Sequence, residues 1–222
     1  WPQSYPPGPG YARHITFNDD TFVQILDFLR EVPRDPDFAF LGPELLESCR
    51  VAVDRGIDCI LRCQVRIEGT KTVWCAQHDS TTLEPRPART FEPVSLSGAE
   101  SARVLKFLMS LNSNRAEIEE AIRGGVAWFE RSALHGIRVV RSNGDVSVVS
   151  DPSAPPIWAR FYDLEQGKPI FAGAEDGKIY TTYHEMAEHN KVGYDYYTTK
   201  PRDIMTKELV KWKKRVEKEG RP

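Results

Sequence analysis

Apolar residues recur at helical spacing along much of the chain. A first helix is predicted between Thr16 and Pro33, where apolar positions repeat every three or four residues. A second begins at Pro43, because proline is favoured at the first helical position, and it carries an apolar stripe to Leu61.

Further helices carry start signals. Ser97 is followed three residues later by Glu100, which is the spacing of a capping box, and Asn114 stands in the same relation to a later glutamate. Helices are therefore predicted to begin at Ser97 and Asn114. Residues 203–219 predict a charged terminal helix with two weak apolar anchors, Val210 and Val216.

The pattern changes to short alternating runs after the fourth helix. Residues 136–150 alternate around Asn143-Gly144, a dipeptide typical of a tight hairpin turn. Short strands are also predicted within 157–164 and 178–182. The Pro- and Gly-rich start of the chain predicts an extended loop.

The order of the helices predicts a mainly α fold. They follow one another as antiparallel-looking pairs, and two of them contain a glycine, Gly56 or Gly125, before an apolar run that leads to a strand-like tail. This faint repeat indicates an α/α toroid of helical hairpins with short irregular β-strands. Residues 1–222 are interpreted as one domain.

Composition narrows the functional classes. Lys and Arg number 30 against 32 Asp and Glu, a balance that argues against nucleic-acid binding. The sequence contains no apolar run long enough to cross a membrane. The chain opens on Trp1 without a secretory signal, so we interpret it as a processed, cut or incomplete chain.

The four cysteines give no strong metal signal. Cys59 and Cys63 lie one helical turn apart, with His78 further along, but no Cys-x-x-Cys pair occurs. Buried thiols are the simplest interpretation, while zinc and a disulfide remain alternatives.

Four polar segments stand out against the helical pattern. The first runs from His14 to Asp20 and places Asn18, Asp19 and Asp20 at a helix start. N-capping explains one of these side chains, whereas a hard cation such as Ca²⁺ would use the additional oxygens.

The second and third segments lie close together. Gln77, His78 and Asp79 concentrate an amide, an imidazole and a carboxylate, a run typical of a polar site. Downstream, two prolines stiffen a loop that carries Arg86 and Arg89, and guanidinium groups match carboxylates bidentately. Surface ion pairs with nearby glutamates are the alternative.

The fourth segment is Ile157 to Leu164. It places Arg160 between aromatic residues in a predicted short strand. Either Arg160 has a functional role, or it pairs with Asp163 or another acid.

The order, spacing and residues of these sequence segments resemble those of the polysaccharide lyase family 10 pectate lyases. The resemblance includes Trp1-Pro2-Gln3, the 14–20, 74–79 and 157–164 segments, Ala88-Arg89 and the 95–101 segment, and it extends over nearly the whole chain. It implies a partial (α/α)3 toroid with a cleft, Ca²⁺ as cofactor, polygalacturonate as substrate and cleavage by β-elimination. It also implies a secreted or periplasmic enzyme that acts as a monomer.

The resemblance assigns roles to particular residues. It places the catalytic base on Arg89, a calcium-binding carboxylate on Asp19 and a substrate contact on Arg160. His78 and Asp79 are expected in or near the cleft. Burial next to Ca²⁺ and other cations would disfavour the charged form of Arg89 and so lower its pKa.

Two departures from the family pattern bear on activity. The catalytic domain of the family begins upstream of the Trp-Pro-Gln segment. The first part of that domain, which carries further acidic residues, is therefore expected to be missing from this chain. Near the C-terminus, Lys191 or His189 stands where a substrate arginine is expected. The alternatives are a catalytically inactive uronate-binding fragment, and a scaffold or hydrolase of similar shape.

Overall fold

The computed structural model describes residues 1–142, 145–191 and 194–220. Its α-helices are α1 Thr21–Glu31, α2 Pro43–Cys63, α3 Glu100–Ser110, α4 Ala116–Ser132, α5 Tyr183–His189, α6 Lys200–Asp203 and α7 Leu209–Lys218. A π-helical segment, Ile204–Glu208, joins α6 to α7. The first four helices confirm the helical stretches predicted from apolar spacing, with starts displaced by two or three residues for α3 and α4.

Short strands connect the helices. They are β1 Ile15–Thr16, β2 Arg66–Ile67, β3 Thr70–Lys71, β4 Gln77–His78, β5 Leu96–Ser97, β6 Ile137–Ser142, β7 Asp145–Ser150, β8 Trp158–Ala159, β9 Phe161–Tyr162, β10 Pro169–Ala172, β11 Ile179–Tyr180 and β12 Tyr197–Thr198. The predicted hairpin is formed by β6 and β7, while its turn, Asn143-Gly144, lies outside the described residues.

The expected partial (α/α)3 toroid is wrong. The chain is 45% helical and 17% strand, and several small sheets interrupt the sequence of helices. One sheet has four strands in the order β11-β10-β9-β5, and two-stranded pairs form from β1 with β4 and from β12 with β8. Helices α1 and α2 pack together, as do α3 and α4, but paired strands lie between and after these pairs.

One large apolar cluster holds the helices to the strands. Trp74 and Trp158 are buried in it, and each indole N–H donates to a helix carbonyl, that of Ile60 at 2.7 Å and that of Phe129 at 2.9 Å. A second cluster contains Phe161, Phe171, Tyr183, Met186 and Tyr196. Residues 158–162, which include Arg160, therefore contribute side chains to both clusters.

All four cysteines are free thiols, so the disulfide alternative is wrong. Within the described residues, no group of three or more His, Cys, Asp or Glu side chains is arranged to hold a metal, which also removes the zinc alternative. No helix in that part of the chain is long and apolar enough to cross a membrane.

Candidate functional site

The segment before α1 has an unusual backbone. Asp19 and Asp20 both adopt the left-handed conformation, with φ of 54° and 61°, which non-glycine residues rarely do. No side chain here caps α1, so the N-capping alternative is wrong. Asp19 is exposed, and its Oδ2 accepts a hydrogen bond from Nδ2 of Asn18 at 3.2 Å.

Asp20 lies beside Asp19 in a partly buried position. Its Oδ2 is 3.5 Å from Nζ of Lys200, whereas its Oδ1 is buried and accepts no hydrogen bond within the described chain. The two carboxylates thus bring several oxygen atoms to one turn, one of them without a partner.

Arg160 reaches this turn from the linker between β8 and β9. Its backbone is held on both sides: its N–H donates to the carbonyl of Tyr196 at 2.8 Å, and its carbonyl accepts from Gly98 at 2.9 Å. Its Nη2 pairs with Oε1 of Glu100 at 2.6 Å and also lies 3.4 Å from Oδ1 of Asn18. The partner of Arg160 is therefore a buried glutamate rather than Asp163.

Asp163 has a separate structural role. Its carboxylate accepts backbone N–H groups from Glu165, Gln166 and Lys168. Burial acts to raise its pKa, but these hydrogen bonds outweigh it and hold the pKa below its usual range.

Arg89 is anchored by Glu92. Nε of Arg89 donates to Oε2 at 2.9 Å and Nη2 donates to Oε1 at 2.6 Å, a bidentate pair. The alternative of an ion pair with a nearby glutamate is therefore confirmed for Arg89, although Glu92 is 5% exposed and not a surface residue. These hydrogen bonds raise the pKa of Arg89, opposite to the direction expected for a base.

Tyr194 joins the two arginines. The guanidinium carbon of Arg160 lies 4.6 Å from the centre of its ring, and that of Arg89 lies 5.9 Å away. The Tyr194 hydroxyl donates to Oε1 of Glu92 at 3.1 Å. Burial raises the pKa of Tyr194, so the hydroxyl stays protonated.

His78 lies beneath this surface, at 0% exposure. Its Nε2 accepts from the backbone N–H of Cys75 at 3.1 Å, which places the proton on Nδ1, where it is donated to the carbonyl of Leu83 at 2.8 Å. Burial lowers its pKa to about 4, so the ring is neutral. Both ring nitrogens therefore hydrogen-bond to backbone groups, and the predicted substrate contact of His78 stays a prediction.

Asp79 organises the following turn. Its Oδ1 accepts from the N–H groups of Thr82 and Thr81 at 3.0 and 2.9 Å, and its Oδ2 pairs with Arg86 at 3.2 Å. The backbone hydrogen bonds, with Arg86 adding to them, lower its pKa to about 2. Both carboxylate oxygens of Asp79 therefore stabilise the loop that leads to Arg89.

Lys191 is exposed and follows α5. Its predicted substrate contact stays a prediction.

The structure thus brings Arg89, Arg160 and Asp19 to one surface. The path of contacts runs from Arg89 through Tyr194 to Arg160, and then through the amide of Asn18 to Asp19. Sequence reasoning named Glu92 only as an alternative ion-pair partner of the loop arginines. It missed two participants: Glu100, which was read only as part of a capping box, and Tyr194, which carries no local signal.

The oxygens of Asp19 and Asp20 suit a hard cation in their chemistry. Ca²⁺ takes about six to eight oxygen ligands, more than these two carboxylates supply. The Oδ1 atom of Asp20, which has no hydrogen-bond partner, could ligate such an ion. Within the described residues, however, no third His, Cys, Asp or Glu side chain joins the two carboxylates, so they form only part of a cation site.

The site therefore combines two anchored arginines with the carboxylates of Asp19 and Asp20, and it is built on helices and small sheets. The chain belongs to the pectic acid lyase family, whose sequence model matches residues 1–205. A comparison with curated protein sequences found no match.

Two solved structures from Cellvibrio cellulosa are similar to the chain. One is a family 10 polysaccharide lyase, with 34% identity and a TM-score of 0.85, and the match covers 99% of this chain and 66% of that one. The other is a mutant of the family 10 lyase from that organism in complex with trigalacturonic acid, with 34% identity, a TM-score of 0.84 and coverage of 98% and 66%. The chain therefore spans just under two thirds of the length of these relatives.

Proposed function

We propose that this protein binds polygalacturonate on the surface between Arg89 and Asp19 and acts as a pectate lyase. The observation that carries the proposal is the path of contacts from Arg89 through Tyr194 and Arg160 to Asn18 and Asp19. Guanidinium groups bind carboxylates, and each sugar of the substrate carries one. The relative that is in complex with trigalacturonic acid supports this ligand class.

The proposed reaction is a β-elimination. A base removes the C5 proton of a uronate, its electron pair forms the C4=C5 double bond, and the C4–O bond breaks as the leaving oxygen takes up a proton. The products are a saturated chain end and a 4,5-unsaturated oligogalacturonide. Arg89 is the proposed base, and Arg160 is proposed to hold a substrate carboxylate.

Ca²⁺ is the proposed cofactor, with Asp19 as a ligand from this chain and Asp20 beside it. When bound, the ion would stabilise the negative charge that develops on the uronate after proton removal. Asn18 orients the Asp19 carboxylate through its 3.2 Å hydrogen bond. A secreted location follows from the proposed polysaccharide substrate.

A second candidate function is uronate binding without cleavage. The ion pair between Arg89 and Glu92 favours it, because Glu92 stabilises the protonated guanidinium and a base must first lose that proton. The partial cation site favours it as well.

Ultraviolet absorbance of the unsaturated product decides between the two candidates. We expect polygalacturonate to give product in the presence of Ca²⁺, with a loss of about a hundredfold or more in Arg89→Ala. Arg138→Ala is the matched control, since Arg138 pairs with Asp151 on the β6–β7 hairpin. Binding without product would select the second candidate, and neither binding nor product would reject both.

A further inference from the structure

Two arginine–glutamate pairs flank Tyr194 in the same manner. Glu92 and Glu100 are 5% and 2% exposed, and each accepts from the Nη2 of its arginine at 2.6 Å. In the described chain, the Nη1 atoms of Arg89 and Arg160 make no hydrogen bond. Each guanidinium is therefore held along one edge and keeps Nη1 for a ligand.

Tyr194 is itself tightly held. Its ring packs edge-on against Phe91 at 4.8 Å and against Tyr196 at 5.5 Å, and it is parallel to Phe161 at 6.1 Å. Its hydroxyl is tied to Glu92, the anchor of Arg89. A ring fixed on several sides can act as a spacer for charged groups that pack on it.

The ring limits the distance between the two cations. The guanidinium carbons lie 4.6 and 5.9 Å from its centre, so they cannot be farther apart than the sum of these distances. Two like charges this close repel each other, and the buried glutamates together with the electron-rich ring face offset that repulsion. Without the ring, the pair would lose both a spacer and a source of stabilisation.

We infer that Tyr194 is a positioning residue that presents Nη1 of Arg89 and of Arg160 as a fixed pair to two neighbouring uronates of one oligogalacturonide. This inference rests on the proposed function, since it takes the ligand to be galacturonan. A ligand held at two points gains affinity from the second contact because that contact is intramolecular. Trigalacturonate should bind more tightly than galacturonate, and Tyr194 should contribute mainly to this difference, the chain-length gain. Its effect on the affinity for a single galacturonate should be smaller.

The test compares galacturonate with trigalacturonate as titrants, with affinity measured by calorimetry or NMR. In Tyr194→Leu, we expect trigalacturonate to bind about tenfold more weakly and galacturonate to change less than about twofold. Tyr183→Leu is the matched control, because Tyr183 packs in the same aromatic cluster at 6.1 Å from Tyr196 and contacts neither arginine. We expect this control to retain the chain-length gain.

Tyr194→Phe keeps the fold of the site and removes only the hydrogen bond to Glu92. We expect a loss of about threefold in trigalacturonate affinity and a shifted Nε–H resonance of Arg89 in NMR spectra. Tyr183→Phe should change neither. If Tyr194→Phe leaves both quantities unchanged, or if Tyr194→Leu keeps the chain-length gain, the inference is overturned.

Arg160→Ala separates the inference from the function on which it rests. Lost trigalacturonate binding in Arg160→Ala with an intact chain-length gain in Tyr194→Leu would reject the role of Tyr194 and leave the proposed function standing. Unchanged binding in both Arg160→Ala and Arg89→Ala would reject the proposed function itself.

Discussion

Nη2 of Arg160 lies 3.4 Å from Oδ1 of Asn18, although the two residues are 142 positions apart in the chain. Asn18 in turn donates from Nδ2 to Oδ2 of Asp19 at 3.2 Å. One amide therefore connects a guanidinium to an exposed carboxylate. The 14–20 and 157–164 segments, which are far apart in the sequence, therefore form one surface.

Removing Arg160 should destabilise the fold as well as the site. Arg160→Leu leaves Glu100 buried and without its cationic partner, so we expect a loss of about 3 kcal/mol in the free energy of unfolding, measured by urea denaturation. The double variant Arg160→Leu/Glu100→Leu should recover most of that loss. Arg138→Leu should cost less than about 1 kcal/mol, because its pair is exposed. An Arg160→Leu protein as stable as the wild type would contradict the burial argument.

His78 should make the stability depend on pH. Its folded-state pKa of about 4 lies below the unfolded value of 6.5, so the unfolded chain binds the proton more readily between these values. Neutral His78 therefore makes its full contribution to the free energy of unfolding above about pH 6.5. That contribution is lost as the pH falls toward 4, by roughly 3 kcal/mol in all. Urea midpoints measured across this window should fall less steeply in His78→Gln, and an unchanged slope would contradict the assignment.

Gly98 should not tolerate a side chain. A Cβ at this position would overlap the backbone carbonyl oxygen of Ala159, the residue that precedes Arg160. Gly98→Ala is expected to cost about 2–3 kcal/mol in unfolding free energy and to weaken trigalacturonate binding. Gly42→Ala, which meets open space, should cost less than about 1 kcal/mol and bind normally. Equal stability of the two variants would contradict this prediction.

Glu92 should set the pH dependence of cleavage if Arg89 is the base. Glu92 raises the pKa of Arg89, so Glu92→Gln lowers it and makes the unprotonated form available at lower pH. The cleavage rate should rise with pH as Arg89 loses its proton, and we expect this rise to occur at lower pH in Glu92→Gln. A weaker trigalacturonate affinity with an unchanged pH dependence would instead indicate that Arg89 only binds substrate.

The helices were the more predictable part of the fold. Apolar spacing predicted α1, α2 and α4 because each buries one continuous face. The terminal helix was less well predicted, since the π-helical segment shifts its register. Leu209, Trp212 and Val216 are consequently buried, whereas the predicted anchor Val210 is 44% exposed.

The site was only partly predictable, because its contacts are long-range. Ser97 does accept the N–H groups of Ala99 and Glu100, as the capping signal implied. The capping box is not complete, however, because the Ser97 N–H donates to the Trp74 carbonyl at 2.8 Å. The Glu100 carboxylate instead accepts from the Ser97 hydroxyl and pairs with Arg160, sixty positions away. Tyr194 could not be found from its neighbours, since it acquires its role only when the chain brings Arg89 and Arg160 together. The toroid expectation failed for a related reason: short strands of two residues leave almost no periodic signal.

A crystal structure of the protein soaked with trigalacturonate and Ca²⁺ tests the account most directly. We predict that the trisaccharide binds over Tyr194, with one carboxylate on Nη1 of Arg160, with the C5 proton of the neighbouring uronate facing Nη1 of Arg89, and with the ion beside Asp19. The chain contains a second arginine-lined cleft, formed by Arg138, Arg141 and Arg202, which serves as an internal control. A trisaccharide bound in that cleft, with the Tyr194 surface empty, would contradict the account.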